Sequence, residues 1–566
     1  MNSLPKQSEH PGPCASVFKA ALDGARQRRF VERITEKDAS LWKSDEAHQK
    51  IIRNSLGWLT VPRFTVQHID ELRSFASEVR AAGSQHLMLL GMGGSSLCPE
   101  VFCRTFGQRE GWPELLVLDT TDPDTIAEFA SRIDVTKTLF IVSSKSGSTI
   151  EPLSFYKYFF DLVQSQKHDR AGENFVAITD PGTLMERIAR EANFRRIFLN
   201  PADIGGRYSA LSYFGMLPAA LMGLDVEAML SRAIAALEAA SKPEPAEAND
   251  ALLLGCALGS LASAGRDKLT LVTSSEIASL GLWIEQLVAE STGKEGKGVV
   301  PVAGEPLGTP EIYGADRVFV ALSVGELAAS SAEKLCELEL AGHPVIRRVL
   351  NDPIDLGAEF FTWEFATSVA GALLEINPFD QPNVQESKDN TNALLEDFKA
   401  KGKLPEQALL SSDDGIKIYG ARSSLTTSRE IIVEVFSQVK PGDYVALLAY
   451  LQETAEHEKL LQAIRDGLRA RFHVATTSGY GPRFLHSTGQ LHKGGPDSGV
   501  FIQLTCDAKT DLKIPGEPYT FGVLRQAQAL GDFSSLESKG RRAVRIHLGE
   551  DVEAGLQKLL KVVCNP

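Results

Sequence analysis

HLMLLGMGGSSLCPE, residues 86–100, sets the reading of the whole chain: an unbroken apolar run, a glycine turn, then serines heading an amphipathic segment. An apolar run without alternation is a strand buried on both faces, as strands of parallel sheets are. The pattern recurs in LLVLDTTD (115–122), TLFIVSS (138–144), NFVAITD (174–180) and RIFLNP (196–201), each run followed by a stretch of helix length. The prediction is an α/β fold with a doubly wound parallel sheet. In such sheets ligands bind beyond the carboxyl ends of the strands, so the residues just after each run are the ones that carry chemistry.

Outward from this core, Ser16 to Trp58 shows helical spacing, and the first 12 residues, polar and proline-bearing, read as a frayed terminus. KLTLVTSS (268–275), DRVFVALS (316–323) and GHPVIRRVL (342–350), with helices through LWIEQLVAE and FFTWEFATSVAGALLEI (360–376), form a second, smaller α/β unit. KAKGKLPEQALLSSDDG (399–415) reads as a linker. GIKIYGA, DYVALLAYL, RFHVATTSG, GVFIQLT and AVRIHLG then make a third α/β region. The expected organisation is a helical lead-in at 1–60, a first domain at 61–265, a second at 266–398 and a C-terminal region at 416–566.

Composition narrows the function classes. The 566 residues imply two to four domains. Asp plus Glu number 73 against 59 for Lys plus Arg, and the resulting charge of −14 argues against a nonspecific nucleic-acid or anionic-membrane binder. There is no apolar run of spanning length and no signal-peptide pattern at the start, so a cytoplasmic protein is expected. Seven scattered cysteines without a C-x-x-C pair read as reduced thiols, and no metal-ligand spacing is present.

Five segments carry chemistry. IVSSKSGSTIEP (141–152) gathers Ser143, Ser144, Ser146, Ser148 and Thr149 with Lys145 and Gly147 between a buried strand and a helix start. Hydroxyls, backbone N–H groups and a helix N-terminus in one loop suit a phosphate. LGMGGSSLCPE (90–100) offers Gly94 and Ser95 in a second such turn, which equally suits a dinucleotide, with Asp119 as its acidic partner. DIGGRYSALS (203–212) aims Arg207 from a tight loop, where its charged fork serves either an anion or a surface salt bridge. VAESTGKEGKGVVPV (288–302) sets Glu290 near a helix end, as a general base or an ordinary exposed carboxylate. FDQPNVQESK (379–388) and PRFLHSTGQLHKGG (482–495) supply Lys388, His486 and His492, any of which a structural role would also explain.

Taken in order, the turn 90–96, the loop 143–149, GGRYS at 205–209, ESTGK at 290–294 and FDQP at 379–382 resemble the glucose-6-phosphate isomerase (phosphoglucose isomerase) family. More closely, the chain resembles the isomerase half of fused transaldolase and phosphoglucose isomerase proteins of some bacteria. The resemblance covers most of the chain from about residue 50 and implies two sugar-isomerase (SIS-type) domains followed by an α/β region. It implies an aldose–ketose isomerase of glucose 6-phosphate and fructose 6-phosphate, without metal or cofactor, commonly a homodimer. By it, Ser144, Lys145, Ser146 and Thr149 hold the phosphate, with Ser148 in the same loop, while Gly94 and Ser95 contact the sugar. Arg207 stabilises an enediolate, Glu290 moves a proton between C1 and C2, and Lys388 and a histidine open the ring.

The histidine departs from the family's order. Between Glu290 and Phe379 only His343 occurs, in a non-matching GHPVIRR, whereas LHSTGQ (485–490) lies about 100 residues after Phe379. It is followed by IPGEPYTFG (514–522), a turn-rich segment expected to line a cleft. His486 is therefore expected to reach the site through the third region, from its own chain or a neighbour's. VQESK also replaces the family's usual VExxK.

Three other readings stand beside this one. A transaldolase activity needs a barrel of about 250 residues, and the isomerase match leaves some 50 at the N-terminus, so it would come only from a separate partner chain. A non-catalytic sugar-phosphate sensor would not need Glu290, Arg207 and Lys388 together. A dehydrogenase resting on the 90–94 glycines leaves the serine loop without a role.

Overall fold

The structure, a computed structural model, describes residues 4–413, 415–420 and 425–564. Residues 1–3 of the expected frayed terminus, Asp414 of the expected linker, Ala421 of GIKIYGA and the last two residues of the C-terminal region lie outside the described residues.

The remainder of the expected frayed terminus is a strand, β1 (Lys6–His10). The first sheet holds β2 (His86–Leu90), β3 (Glu114–Leu118), β4 (Thr138–Ser143), β5 (Phe175–Thr179) and β6 (Arg196–Leu199) in the order β3-β2-β4-β5-β6, all parallel. The chain leaves β2 to one side and returns to β4 on the other, so a topological switch point, where a crevice opens, lies between them. The turn 91–96 and the loop 144–149 stand on either side of that crevice.

The second sheet holds β7 (Lys268–Thr273), β8 (Val300–Val302), β9 (Arg317–Val324) and β10 (Val345–Leu350), parallel, in the order β1-β10-β9-β7-β8. β1 closes its edge antiparallel to β10, and Gln7 in this strand bonds Arg348 and the backbone of Asp250. A polar segment joins the sheet because an edge strand buries only part of each side chain and satisfies the exposed ladder of β10.

The third sheet holds β11 (Leu409–Asp413), β12 (Ile416–Gly420), β13 (Tyr444–Tyr450), β14 (Ala475–Tyr480), β15 (Gly499–Thr505) and β16 (Arg542–His547), in the order β11-β12-β16-β15-β13-β14. β13 to β16 are parallel and β11 and β12 run antiparallel. The expected linker 399–415 is thus occupied by structure. The helix Pro382–Lys401 runs into it and is stopped by Gly402 at φ +71°, and β11 takes its far end.

Two helices, Asp250–Ser263 and Leu356–Leu373, are buried almost all round and cross closely. A Cβ on Gly255 would come within 2.5 Å of the Ala366 carbonyl oxygen, so glycine is what permits the approach. The first and third sheets are joined by buried ion pairs, Arg483 to Asp119 at 2.8 Å and Arg525 to Asp122. No helix among the described residues is long and apolar enough to cross a membrane.

Candidate active site

At the end of β4 the Ser143 hydroxyl donates to the Ser95 carbonyl at 2.9 Å, tying the two crevice loops together. Gly147 turns the loop at φ +67°, and a Cβ there would meet the Met185 backbone nitrogen at 2.7 Å. Thr149 stands at the cap of the helix Ile150–Lys167 without using its side chain as a cap. The first N–H groups of this helix are therefore open to water or to an anion. Ser146 Oγ lies 3.3 Å from both Thr149 Oγ1 and the Ser148 hydroxyl. Ser146, Ser148 and Thr149 line a cleft of about 230 Å³, and Glu151, Lys388 and His486 complete its polar wall.

His486 sits on a short 3-10 turn, Arg483–His486, that follows β14. Its Nε2 lies 3.1 Å from Glu151 Oε1, which also accepts from the Gln528 amide at 2.6 Å. Burial alone would raise the Glu151 carboxyl, but the charges of His486 and, more weakly, Lys388 outweigh it and hold the group below the usual carboxylate range. Glu151 is thus an anion fixed behind the histidine. Lys388, on the helix Pro382–Lys401, has no ion-pair partner among the described residues.

Glu290 lies near the end of the helix Leu280–Thr292 and is buried. Its Oε1 is 3.3 Å from Arg207 Nη1, and its Oε2 accepts from Gln286 Nε2 at 3.2 Å. The same Gln286 nitrogen donates to the His486 carbonyl at 2.6 Å. One amide therefore joins the glutamate to the histidine segment, and Gly93, whose Cβ would come within 2.8 Å of His486 Cβ, leaves room for this approach. Arg207 is fixed by Ser291 Oγ at 2.7 Å, the Pro378 carbonyl at 2.7 Å and the Asp380 carbonyl at 3.0 Å. Its loop is held by Gly94, where a Cβ would lie 2.2 Å from the Gly206 backbone. Lys294 pairs with Asp380 at 2.8 Å, and burial brings its amine down to about 7.

Some expected residues are turned elsewhere. Lys145 directs its ammonium to Asp180 Oδ2 at 2.5 Å and the Ala202 carbonyl at 3.2 Å, outside the cleft lining. The cause is Asp180, a largely buried carboxyl that needs a counter-ion and whose N–H already bonds the Lys145 carbonyl at 3.2 Å. Ser144 is buried with its hydroxyl unpartnered, and Gly94 and Ser95 pack behind the cleft rather than lining it. His492 is enclosed, and its burial, aided by the charges of Lys493 and Arg541, holds it well below the usual histidine range. The segment 514–522 does not line the cleft. Ile514, Tyr519 and Phe521 pack into the core on the first sheet, because three apolar side chains outweigh the turn residues between them. Asp119 is gripped by Arg483 and accepts from the Ser96 hydroxyl at 3.1 Å, so the acid a dinucleotide ribose would require is already engaged.

Three site residues escaped the sequence reading. Glu151 lay inside the quoted serine loop, two positions after Thr149, and Gln286 lay one helical turn before Glu290, on the same face. Gln528 carried no local signal, since only the fold brings it to Glu151.

This arrangement defines a doubly wound α/β fold with a polar cleft beside the switch point of its first sheet. Residues 35–302 match the family model described as phosphoglucose isomerase. Glucose-6-phosphate isomerase of Rubrobacter xylanophilus is 29% identical over 396 residues, covering 61% of this chain and 90% of the relative. Probable glucose-6-phosphate isomerase of Methanococcus maripaludis is 27% identical over 377 residues, covering 60% and 84%. Among solved structures, a glucose-6-phosphate isomerase from Chlamydia trachomatis shares the fold with a TM-score of 0.53 at 21% identity, over 69% of this chain and 87% of that one.

Proposed function

We propose that the chain interconverts glucose 6-phosphate and fructose 6-phosphate through a cis-enediol intermediate, as a step of glycolysis and gluconeogenesis. The observation that carries this reading is the single Gln286 amide shared between Glu290 and the His486 carbonyl, which couples a buried carboxylate to the histidine of the anion cleft.

In this reading the hydroxyls of Ser146, Ser148 and Thr149, with the open helix N-terminus, take the phosphate and orient the sugar without altering it. His486 protonates the ring oxygen as the C1 hydroxyl gives up its proton to water, with Lys388 beside it, and the ring opens to the free aldehyde. Glu290 then removes the proton from C2. The electron pair forms the C1–C2 double bond, and the charge developing on O1 meets the Arg207 guanidinium. The O2 hydroxyl proton passes to O1, and returning the carbon-bound proton to C1 leaves the carbonyl at C2, so the ketose forms and the glutamate ends as it began. Ser144 and Lys145 support the phosphate loop from behind, Lys145 through Asp180, and Gly94 and Ser95 set the loop against which Arg207 is fixed. The family match and the relatives named glucose-6-phosphate isomerase support the substrate pair.

Proton NMR in heavy water tests this directly. The wild type should exchange solvent deuterium into C2 of glucose 6-phosphate and C1 of fructose 6-phosphate, and Glu290→Gln should do so at most very slowly. Conversion and exchange undiminished in Glu290→Gln would remove that residue from the mechanism.

A further inference from the structure

A second cavity, of about 300 Å³, lies where the three sheets meet and shares no lining residue with the catalytic cleft. Arg104 reaches it from the first α/β unit, Glu285 from the helix that carries Glu290, and Arg465 and Arg483 from the third region. Its size is that of a small-metabolite pocket.

The cavity's charges are unequal in what they leave free. Arg483 is spent on Asp119 at 2.8 Å and Glu453 at 3.2 Å. Arg104 is spent on Glu453 at 2.7 Å and on Glu100. Arg465 donates to the carbonyls of Ala303 at 2.9 Å and Thr476 at 2.8 Å. Glu285 is different. It is 8% exposed, lines the cavity, and has no hydrogen bond or ion pair among the described residues. A buried carboxyl without a donor is costly, and burial pushes this one up to about 7 although Arg465 and Arg483 pull it down. No lysine or histidine lines the cavity. Arg104 and Arg483 are bound to carboxylates and Arg465 to two carbonyls, its Nε alone lacking a partner among the described residues, whereas the Glu285 carboxyl has no donor there and faces a ligand that can supply one. Among the described residues no group of three His, Cys, Asp or Glu could hold a metal ion. Leu97, Leu282 and Phe484 supply apolar wall for a short carbon chain.

We propose that this cavity is a binding site for a small organic cation, whose primary ammonium group sits on Glu285. The site lies beside the catalytic machinery in the chain: Glu285 precedes Gln286, and Arg483 opens the turn that carries His486.

Calorimetric titration of the full chain with putrescine tests the proposal without reference to isomerase activity. The expected result is saturable one-site binding that is unaffected by saturating inorganic phosphate and weakened by about tenfold or more in Glu285→Gln. Leu282→Trp, which fills the cavity from its apolar side, should abolish binding while thermal melting shows a folded protein. Absence of saturable heat, unchanged affinity in Glu285→Gln, or displacement of putrescine by phosphate would each overturn it.

Discussion

His486 Nε2 stands 3.1 Å from Glu151 Oε1, two residues separated by 335 positions and brought together by the packing of the third sheet against the first. The carboxylate is held ionised below its usual range by that histidine against the opposing effect of burial. A depressed carboxyl stabilises the fold above its unfolded value and loses that contribution as pH falls through its folded value. Glu151→Gln should therefore be less stable than the wild type at pH 7, with the difference shrinking as the solution is taken below the ordinary carboxylate range. Urea denaturation at the two ends of that range measures it.

Glu290→Gln keeps the side chain's shape and its contact with Gln286 but cannot accept a proton. Turnover should fall by about 10³-fold or more, with circular dichroism unchanged and binding of a sugar-phosphate inhibitor retained. A loss confined to KM would show that the residue binds rather than reacts.

Gly94→Ala places a methyl group 2.2 Å from the Gly206 backbone, where no flexible side chain can give way. The loop bearing Arg207 must shift, at a cost of about 2–3 kcal/mol for such overpacking. A lowered thermal midpoint with activity reduced even at permissive temperature is the expected outcome. Gly83→Ala, at an open position with φ +77°, should cost less.

Glu285 gives a pH dependence of opposite sign to Glu151. Its carboxyl, raised from 4.5 to about 7 by burial, binds its proton more tightly folded than unfolded. Its contribution is complete below 4.5 and is lost as pH rises through about 7, a change on the order of 3 kcal/mol. Glu285→Gln should thus gain stability relative to the wild type between pH 5 and pH 8, as chemical denaturation across that window would record.

The apolar runs 86–90, 138–143 and 175–179 were legible because strands buried on both faces leave uninterrupted hydrophobic sequence. β1, KQSEH, was not, since an edge strand needs no apolar pattern and is specified by the ladder of β10. The serine loop was legible as a strand-to-helix turn rich in hydroxyls, yet Lys145 inside it is claimed by Asp180, whose position after β5 only the sheet order reveals. His486 was readable as a motif, while its partners Glu151 and Gln528 arise from contacts between distant segments, about which local sequence is silent.

The most direct test of the central claim is a coupled assay of the purified chain, fructose 6-phosphate supplied and glucose 6-phosphate detected in the presence of EDTA, with His486→Ala beside the wild type. The account predicts robust wild-type activity that falls by about 10²-fold or more in the variant. Wild-type protein that binds the sugar phosphate without converting it, or a variant as active as the wild type, would contradict it.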